Sequence, residues 1–506
     1  MTQALTWWER AVVPAVFVVL VWALAWQQPR TPAPWTDEGQ HLVAAATLVR
    51  HGVYGAPNAG VPVAFDPAIQ VGPPLILPVA IAFALGGVGE LPARVTCVVL
   101  SMLFGWLYWR VTRRLVGPAA AALALVFLVA GGGDAFASFV FLGRQVIGEP
   151  TAIGWLLVAF LVLMGADVLP SRWRMLAGGA CLGAAILTKG QMLFIAAPAL
   201  AVLWCLDRLH YRQRSVLELP IVVGTAIAML AGWQGLQRIV IGAEAYAANA
   251  AVLRQGLATQ ILAFDLAFFR NALGVLWRSG IAWWGPLALA GMWRRARPAT
   301  ADGYRHAWLA LVALGSLAWF VGLSVGWARY AAYAVILMPI WACDTLVAAG
   351  EHLRERGRTG VAWAGAVTLA LLLALQARQW LPLVIAPVDT GLEAFRAELA
   401  RHVPDGTMVE TWEWEIMLDD RLRYAHPPLA LMYTVTGPVM RHDRAVLSDY
   451  DPLWAHPRFI VRGPYGGWTQ VYDRVTSGPG VREVVVVGRY ALYEVIDSVD
   501  ARSHRP

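Results

Sequence analysis

Residues 10–41 read RAVVPAVFVVLVWALAWQQPRTPAPWTDEGQH. The run from Ala11 to Trp26 carries no charge, follows Arg10 and lacks a small-residue cleavage site, so it reads as a retained first span rather than a signal peptide. Directly after it, Trp35-Thr36-Asp37-Glu38-Gly39-Gln40-His41 places two acids at the start of a helix expected over about 37–50, with Leu42, Ala45, Ala46 and Val49 on one apolar face. An apolar span leading straight into an acid pair at the membrane surface sets the terms for the rest of the chain.

The whole sequence agrees with a polytopic membrane protein. Its 506 residues are 58% hydrophobic and only 14% charged, with a mean hydropathy of +0.55. A soluble chain carries about 25% charged residues, and a disordered one needs low hydrophobicity. Further apolar runs lie near 92–109, 118–140, 150–169, 218–240, 306–325, 330–348 and 360–380, with shorter ones near 174–188, 191–206 and 281–293. The net charge of +7 divides unevenly: 17 acids face 13 arginines after residue 380, and 16 acids face 27 basic residues before it. Only one basic residue is a lysine, Lys189. No element clusters positive side chains as a nucleic-acid face does, so no nucleic-acid partner is expected. Cys97, Cys181, Cys205 and Cys343 all sit in apolar runs and offer neither a disulfide framework nor a CxxC metal site.

Arginine placement orders the spans. Arg110, Arg113 and Arg114, then Arg172 and Arg174, Arg208 to Arg214, Arg294 to Arg297, and Arg354 to Arg358 mark cytoplasmic loops by the positive-inside rule. The N-terminus is then inside and the tail outside after about 11 crossings. This holds if the Pro- and Gly-rich stretch 73–89 is a re-entrant or shallow outer-face helix. The expected division is a transmembrane domain over 1–387 and a small soluble α/β domain over 388–506. In the latter, GLEAFRAELARHV is expected to be helical, and TMVETW, RFIVRGP, EVVVVG and YALYEV to be strands.

Four loops on the outer face carry candidate chemistry. Asp37 and Glu38 suit the dipole of a helix start, with Thr36 as N-cap, and equally suit a general base that takes a proton from an attacking hydroxyl. Gly143 to Pro150 holds Arg144 and Glu149. Glu149 is either a helix-start acid paired with Arg144 or a second acid in the same cavity. Lys189, in Leu187-Thr188-Lys189-Gly190, either snorkels to an interface or supplies a cation to a phosphate. Arg329, in Gly326-Trp327-Ala328-Arg329-Tyr330-Ala331-Ala332-Tyr333, lies on the face where the positive-inside rule disfavours it. It is either an interfacial anchor or a second phosphate cation.

The order of these pieces resembles the polyprenyl-phosphate-dependent glycosyltransferases of the GT-C fold, in the branch of protein O-mannosyltransferases and the lipid A aminoarabinose transferase. The family's Asp-Glu pair matches Asp37-Glu38, its Pro-Pro-Leu segment matches Pro73-Pro74-Leu75, and the following Arg matches Arg94. Its acid-Pro pair matches Glu149-Pro150, although Asp is usual there. Leu187 to Gly190 and Arg329-Tyr330 with Pro339 complete the series, and His41 stands where Tyr is frequent. The resemblance covers about residues 10–350.

It implies a hexosyl- or pentosyltransferase in the cell (inner) membrane, with its active site and C-terminal domain on the periplasmic or extracytoplasmic face. The sugar would pass from a polyprenyl-phosphate donor to a hydroxyl of a lipid, glycan or protein acceptor, with inversion. Asp37 would be the base, with Glu38 and Glu149 positioning it or the acceptor. Lys189 and Arg329, with Arg144, Tyr330 and Tyr333, would hold the donor. His41, Trp412 and Trp414 are acceptor-side candidates, although the two tryptophans equally suit core packing. No cofactor is implied, and a divalent cation bridging acid and phosphate is the alternative that other enzymes of the fold use. The rival reading is a transporter or flippase of a lipid-linked sugar, which would be expected to show repeat symmetry and midplane charges. Neither is visible.

Overall fold

The computed structural model describes residues 7–164, 171–386, 390–441 and 450–496. Among these, five helices have the length and composition to cross a bilayer: Glu90–Val116, Gln191–Tyr211, Glu218–Ile261, Ala301–Leu323 and Thr359–Ile385. A sixth forms if Ala328–Leu337 and Pro339–Glu355 count as one span broken at Pro339. Proline removes the amide that would have continued the ladder, so the expected run 330–348 splits there. The helix Pro73–Gly86 has 14 residues. At 1.5 Å per residue it falls well short of a hydrocarbon core about 30 Å thick.

Two expectations need correcting. The apolar run 118–140 is not one helix. Pro118–Ala130 ends at Gly131-Gly132-Gly133, where Gly132 takes φ +86°. A side chain at Gly133 would strike the backbone oxygen of Arg278, so the chain turns where only glycine fits. Ser138 then caps a short helix, Phe139–Gly143, by accepting from the Phe141 amide, and that helix delivers residues 144–149. The run expected over 218–240 does not end there, and residues 241–280 are mostly helical. The helix from Glu218 runs to Gly256 past a kink at Gly242 (φ +81°), because Ala243 to Ala251 is rich in alanine, the strongest helix former. Leu266–Arg278 follows, capped by Asp265.

Seven short strands are present among the described residues. β1 (Gly55–Asn58) and β2 (Val61–Ala64) form a hairpin after the acid helix, Thr36–His51. β3 (Met408–Thr411), β4 (Arg423–Ala425), β5 (Phe459–Arg462), β6 (Val481–Val487) and β7 (Tyr490–Val495) make a sheet of order β4-β3-β5-β7-β6. β3 is parallel to β4 and β5, while β7 is antiparallel to β5 and β6. β3, β5, β6, β7 and the helix Leu392–His402 fall where β-branched and periodic residues place them. β4, the hairpin and the helix Leu429–Met440 carry weaker signals.

The helices share one large apolar core. A second core joins Phe395, Trp414, Tyr490 and Leu492 to Val43 of the acid helix, Ala56 of its hairpin and Ala68 just after it. The contact is tight: a Cβ on Gly39 would collide with the backbone nitrogen of Glu415. Arg50 pairs with Asp420 at 3.3 Å and Arg396 with Glu90 at 2.6 Å across the same junction. The C-terminal sheet is thereby seated directly on the helix that carries the acid pair.

Candidate active site

Asp37 and Glu38 are adjacent in the first turn of one helix and have different partners. Glu38 is fully buried. Arg94 grips both of its oxygens, with Nε at 2.8 Å, and the Val146 amide donates to it at 3.1 Å. Arg94 also donates to Gln28 and Pro29. Glu38 therefore ties the acid helix to the Glu90–Val116 helix and to the 144–149 loop. His41 fixes the same loop through Nδ1, which contacts the Val146 carbonyl. Burial first, and the nearby Lys189 charge second, lower the His41 pKa to about 3. The ring is thus neutral, and the carbonyl assigns the proton to Nδ1.

Asp37 faces the other way. Its Oδ2 forms an ion pair with Arg329 Nη1. Arg329 Nε lies 3.8 Å from Glu149 Oε1, and the same oxygen is 3.3 Å from Lys189 Nζ. Acid and cation thus alternate from Asp37 through Arg329 and Glu149 to Lys189. Both cations lie near one carboxylate oxygen without a hydrogen bond to it, so a single phosphate group could reach both. The chain is under-bonded: Glu149 Oε2, Arg329 Nε and the Tyr333 hydroxyl are buried without hydrogen-bond partners among the described residues. Gly148 makes room for this arrangement, because a Cβ there would sit 2.8 Å from Lys189 Cε. The Arg329 guanidinium is boxed by Trp327, Tyr330 and Trp35 with ring centroids at 4.8, 5.4 and 5.5 Å, contacts that strengthen when desolvated.

Four expected site residues lie elsewhere: His41, held on the Val146 carbonyl and on the wall of neither cavity flanking the ion-pair chain, with Arg144, Trp412 and Trp414. Arg144 is not paired with Glu149. It donates to the carbonyls of Ala23, Trp26 and Thr31 at the end of the first helix, where exposed helix-end carbonyls need donors. Trp412 packs edge-on against Tyr465 and Trp414 against His426, and both tryptophans are buried in the second core.

Two cavities flank the ion-pair chain. One, of about 480 Å³, has Lys189 and Gln191 on its wall beside Tyr54, Phe194, Leu230 and Trp233. The other, of about 620 Å³, is lined by Asp37, Arg329, Glu413, Glu415, Tyr465 and Trp468. Sequence reasoning passed over Glu413 and Glu415. No motif signals them; they follow β3 in a run, Thr411 to Met417, that is buried throughout. Burial raises the Glu413 pKa to about 7, against three backbone amides that lower it, and raises Glu415 well above the usual carboxylate range, with Glu413 adding to the shift. Among the described residues no group of three or more His, Cys, Asp or Glu is placed to hold a metal.

The fold is shared with solved structures of low sequence identity. The full length resembles ArnT from Cupriavidus metallidurans bound to undecaprenyl phosphate, at 16% identity and a TM-score of 0.64, covering 98% of this chain and 99% of that one. The Archaeoglobus fulgidus oligosaccharyltransferase tethered with an acceptor peptide matches at 14% identity and a TM-score of 0.56, over 90% of this chain and 69% of that one. The arabinofuranosyltransferase AftD from Mycobacteria matches at 14% identity and a TM-score of 0.51, over 98% of this chain and 40% of that one. At these identities the likeness establishes the fold. Residues 72–233 also match the family described as dolichyl-phosphate-mannose-protein mannosyltransferase. No curated protein matches the sequence.

Proposed function

We propose that this protein transfers a hexose or pentose from a polyprenyl-phosphate donor to an acceptor hydroxyl, with inversion, on the non-cytoplasmic face of the cell membrane. The observation that carries this reading is the ion-pair chain between two cavities. The Lys189 cavity, with largely apolar walls, suits a lipid phosphate, and the Cupriavidus protein of the same fold holds undecaprenyl phosphate. Asp37 stands on the opposite cavity. An inverting displacement needs nucleophile and leaving group on opposite sides of the anomeric carbon, and two cavities separated by one charged partition provide that arrangement.

In the proposed step Asp37 accepts the acceptor's hydroxyl proton as the oxygen attacks the anomeric carbon. The bond from that carbon to the phosphate oxygen breaks, and its electron pair stays on the phosphate. Lys189 and Arg329 meet the growing charge, both already aimed at one point by Glu149. Glu38 and His41 act by holding the Val146 to Glu149 segment, and Tyr330 and Trp327 keep Arg329 in place. The topology we adopt has the N-terminus inside, about 11 crossings and the 388–506 domain outside. The sparse hydrogen bonding of Glu149 and Arg329 supports a ligand-filled working state.

The test is sugar transfer from synthetic undecaprenyl-phosphate hexoses and pentoses by the purified protein in membrane lipid extract. Release of free undecaprenyl phosphate with a new glycosidic product is expected. Translocation of intact donor without product would return the chain to the flippase reading.

A further inference from the structure

The cavity on the Asp37 side has a feature that donor chemistry does not use. Glu413 is buried, and its carboxylate accepts from the amides of Gly463 at 3.0 Å, Tyr465 at 3.2 Å and Gly466 at 2.7 Å. A Cβ on Gly463 would sit 2.7 Å from the Glu413 carboxyl carbon, so the loop requires glycine there. Glu413 thus fixes the 463–468 turn, which carries Tyr465 and Trp468 to the cavity wall. Glu415 is 1% exposed. Its Oε1 accepts from the Tyr490 hydroxyl at 2.9 Å, and its Oε2 has no hydrogen-bond partner among the described residues. Trp468, on the wall of the same cavity as Glu415, is 38% exposed.

An exposed aromatic side chain and a buried, unpaired hydrogen-bonding oxygen on the wall of one cavity match the two halves of a sugar ring. The C–H face packs on the aromatic ring, and the hydroxyl edge donates to a carboxyl oxygen. We propose that this cavity is the acceptor subsite, and that it takes a neutral sugar ring stacked on Trp468 with a hydroxyl donated to Glu415. The inference rests on the glycosyl-transfer reading and narrows its acceptor to a glycan. Charged rings are disfavoured: a uronate would face the acceptor oxygens of Glu413 and Glu415, and burial holds both acids towards the neutral form, which leaves an ammonium no counter-charge. Glu413 is a positioning residue for the aromatic platform.

The test needs no donor, so its outcome is separate from that of transfer. The full-length protein is placed in phospholipid nanodiscs free of glycoside detergents. Saturation-transfer NMR then compares a neutral methyl hexoside, its 2-amino analogue and its uronate. The neutral glycoside is expected to give saturable ring-proton signals. Those signals should vanish in Trp468→Ala, return in Trp468→Phe, and weaken up to about tenfold in Glu415→Gln, the value of one hydrogen bond between neutral groups. Lys189→Ala should keep glycoside binding while losing transfer. No signal on the wild-type protein overturns the proposal, as does a signal unchanged in Trp468→Ala, one lost in Lys189→Ala, or a preference for the amino sugar or the uronate. If Glu415→Gln fails to fold, the Trp468 pair decides alone.

Discussion

Two ionic assemblies begin one residue apart and differ most in how fully they are bonded. Around Glu38, every strong group is answered: Arg94 grips both carboxylate oxygens and spends its remaining donors on Gln28 and Pro29. Around Asp37, the charges alternate but the geometry is loose, with Arg329 Nε 3.8 Å from Glu149 and several buried polar atoms unbonded. A saturated knot has nothing left to offer a ligand. An under-bonded chain bears an uncompensated cost that a phosphate or hydroxyl can relieve. Bond saturation, more than charge or burial, separates the scaffold from the candidate site.

The comparison breaks first at Asp37. Asp37→Asn preserves shape and removes basicity, so transfer should fall about 10²–10⁴-fold with an unchanged melting temperature. Near wild-type turnover would move the base elsewhere. On the scaffold side, Arg94→Ala leaves Glu38 buried and unpaired, and should cost about 3–5 kcal/mol of stability, read by thermal unfolding. A mild loss there would erase the distinction. Lys189→Ala comes next: undecaprenyl phosphate binding, followed by native mass spectrometry, should weaken by about 1.5–3 kcal/mol while the fold survives, because Glu149 keeps Arg329.

The smallest effect per step is a pH slope in the C-terminal sheet. Burial raises the Glu410 pKa from 4.5 to about 8, against the Tyr450 and Tyr472 hydroxyls that lower it. The folded state thus holds a proton that the unfolded chain releases. Its contribution is complete below pH 4.5 and is lost as pH rises towards 8, at up to about 1.4 kcal/mol per unit. Glu410→Gln should flatten that part of the unfolding profile, and a profile as steep as wild type would reassign the slope.

Much of the helical scheme and the four-loop order was legible because lipid-facing length, arginine bias and helix-start acids are local properties of the chain. Lys189 and Arg329 stood out as isolated cations, and they do share a carboxylate oxygen. Arg144 misled because sequence shows its charge but not the helix-end carbonyls that consume it. Trp412 and Trp414 misled because a tryptophan reads alike whether it faces a ligand or fills a core.

What the sequence determined by itself is what short-range physics encodes: apolar length, the proline and glycine breaks, β-branched strands, and the residue types gathered on one side of the spans. Tertiary structure alone decided which of two neighbouring acids would be saturated and which left open. It also brought Glu413 and Glu415 to the Asp37 cavity across nearly the whole chain. Hydrogen-bond saturation depends on partners from distant segments, and those partners are chosen only when the segments pack.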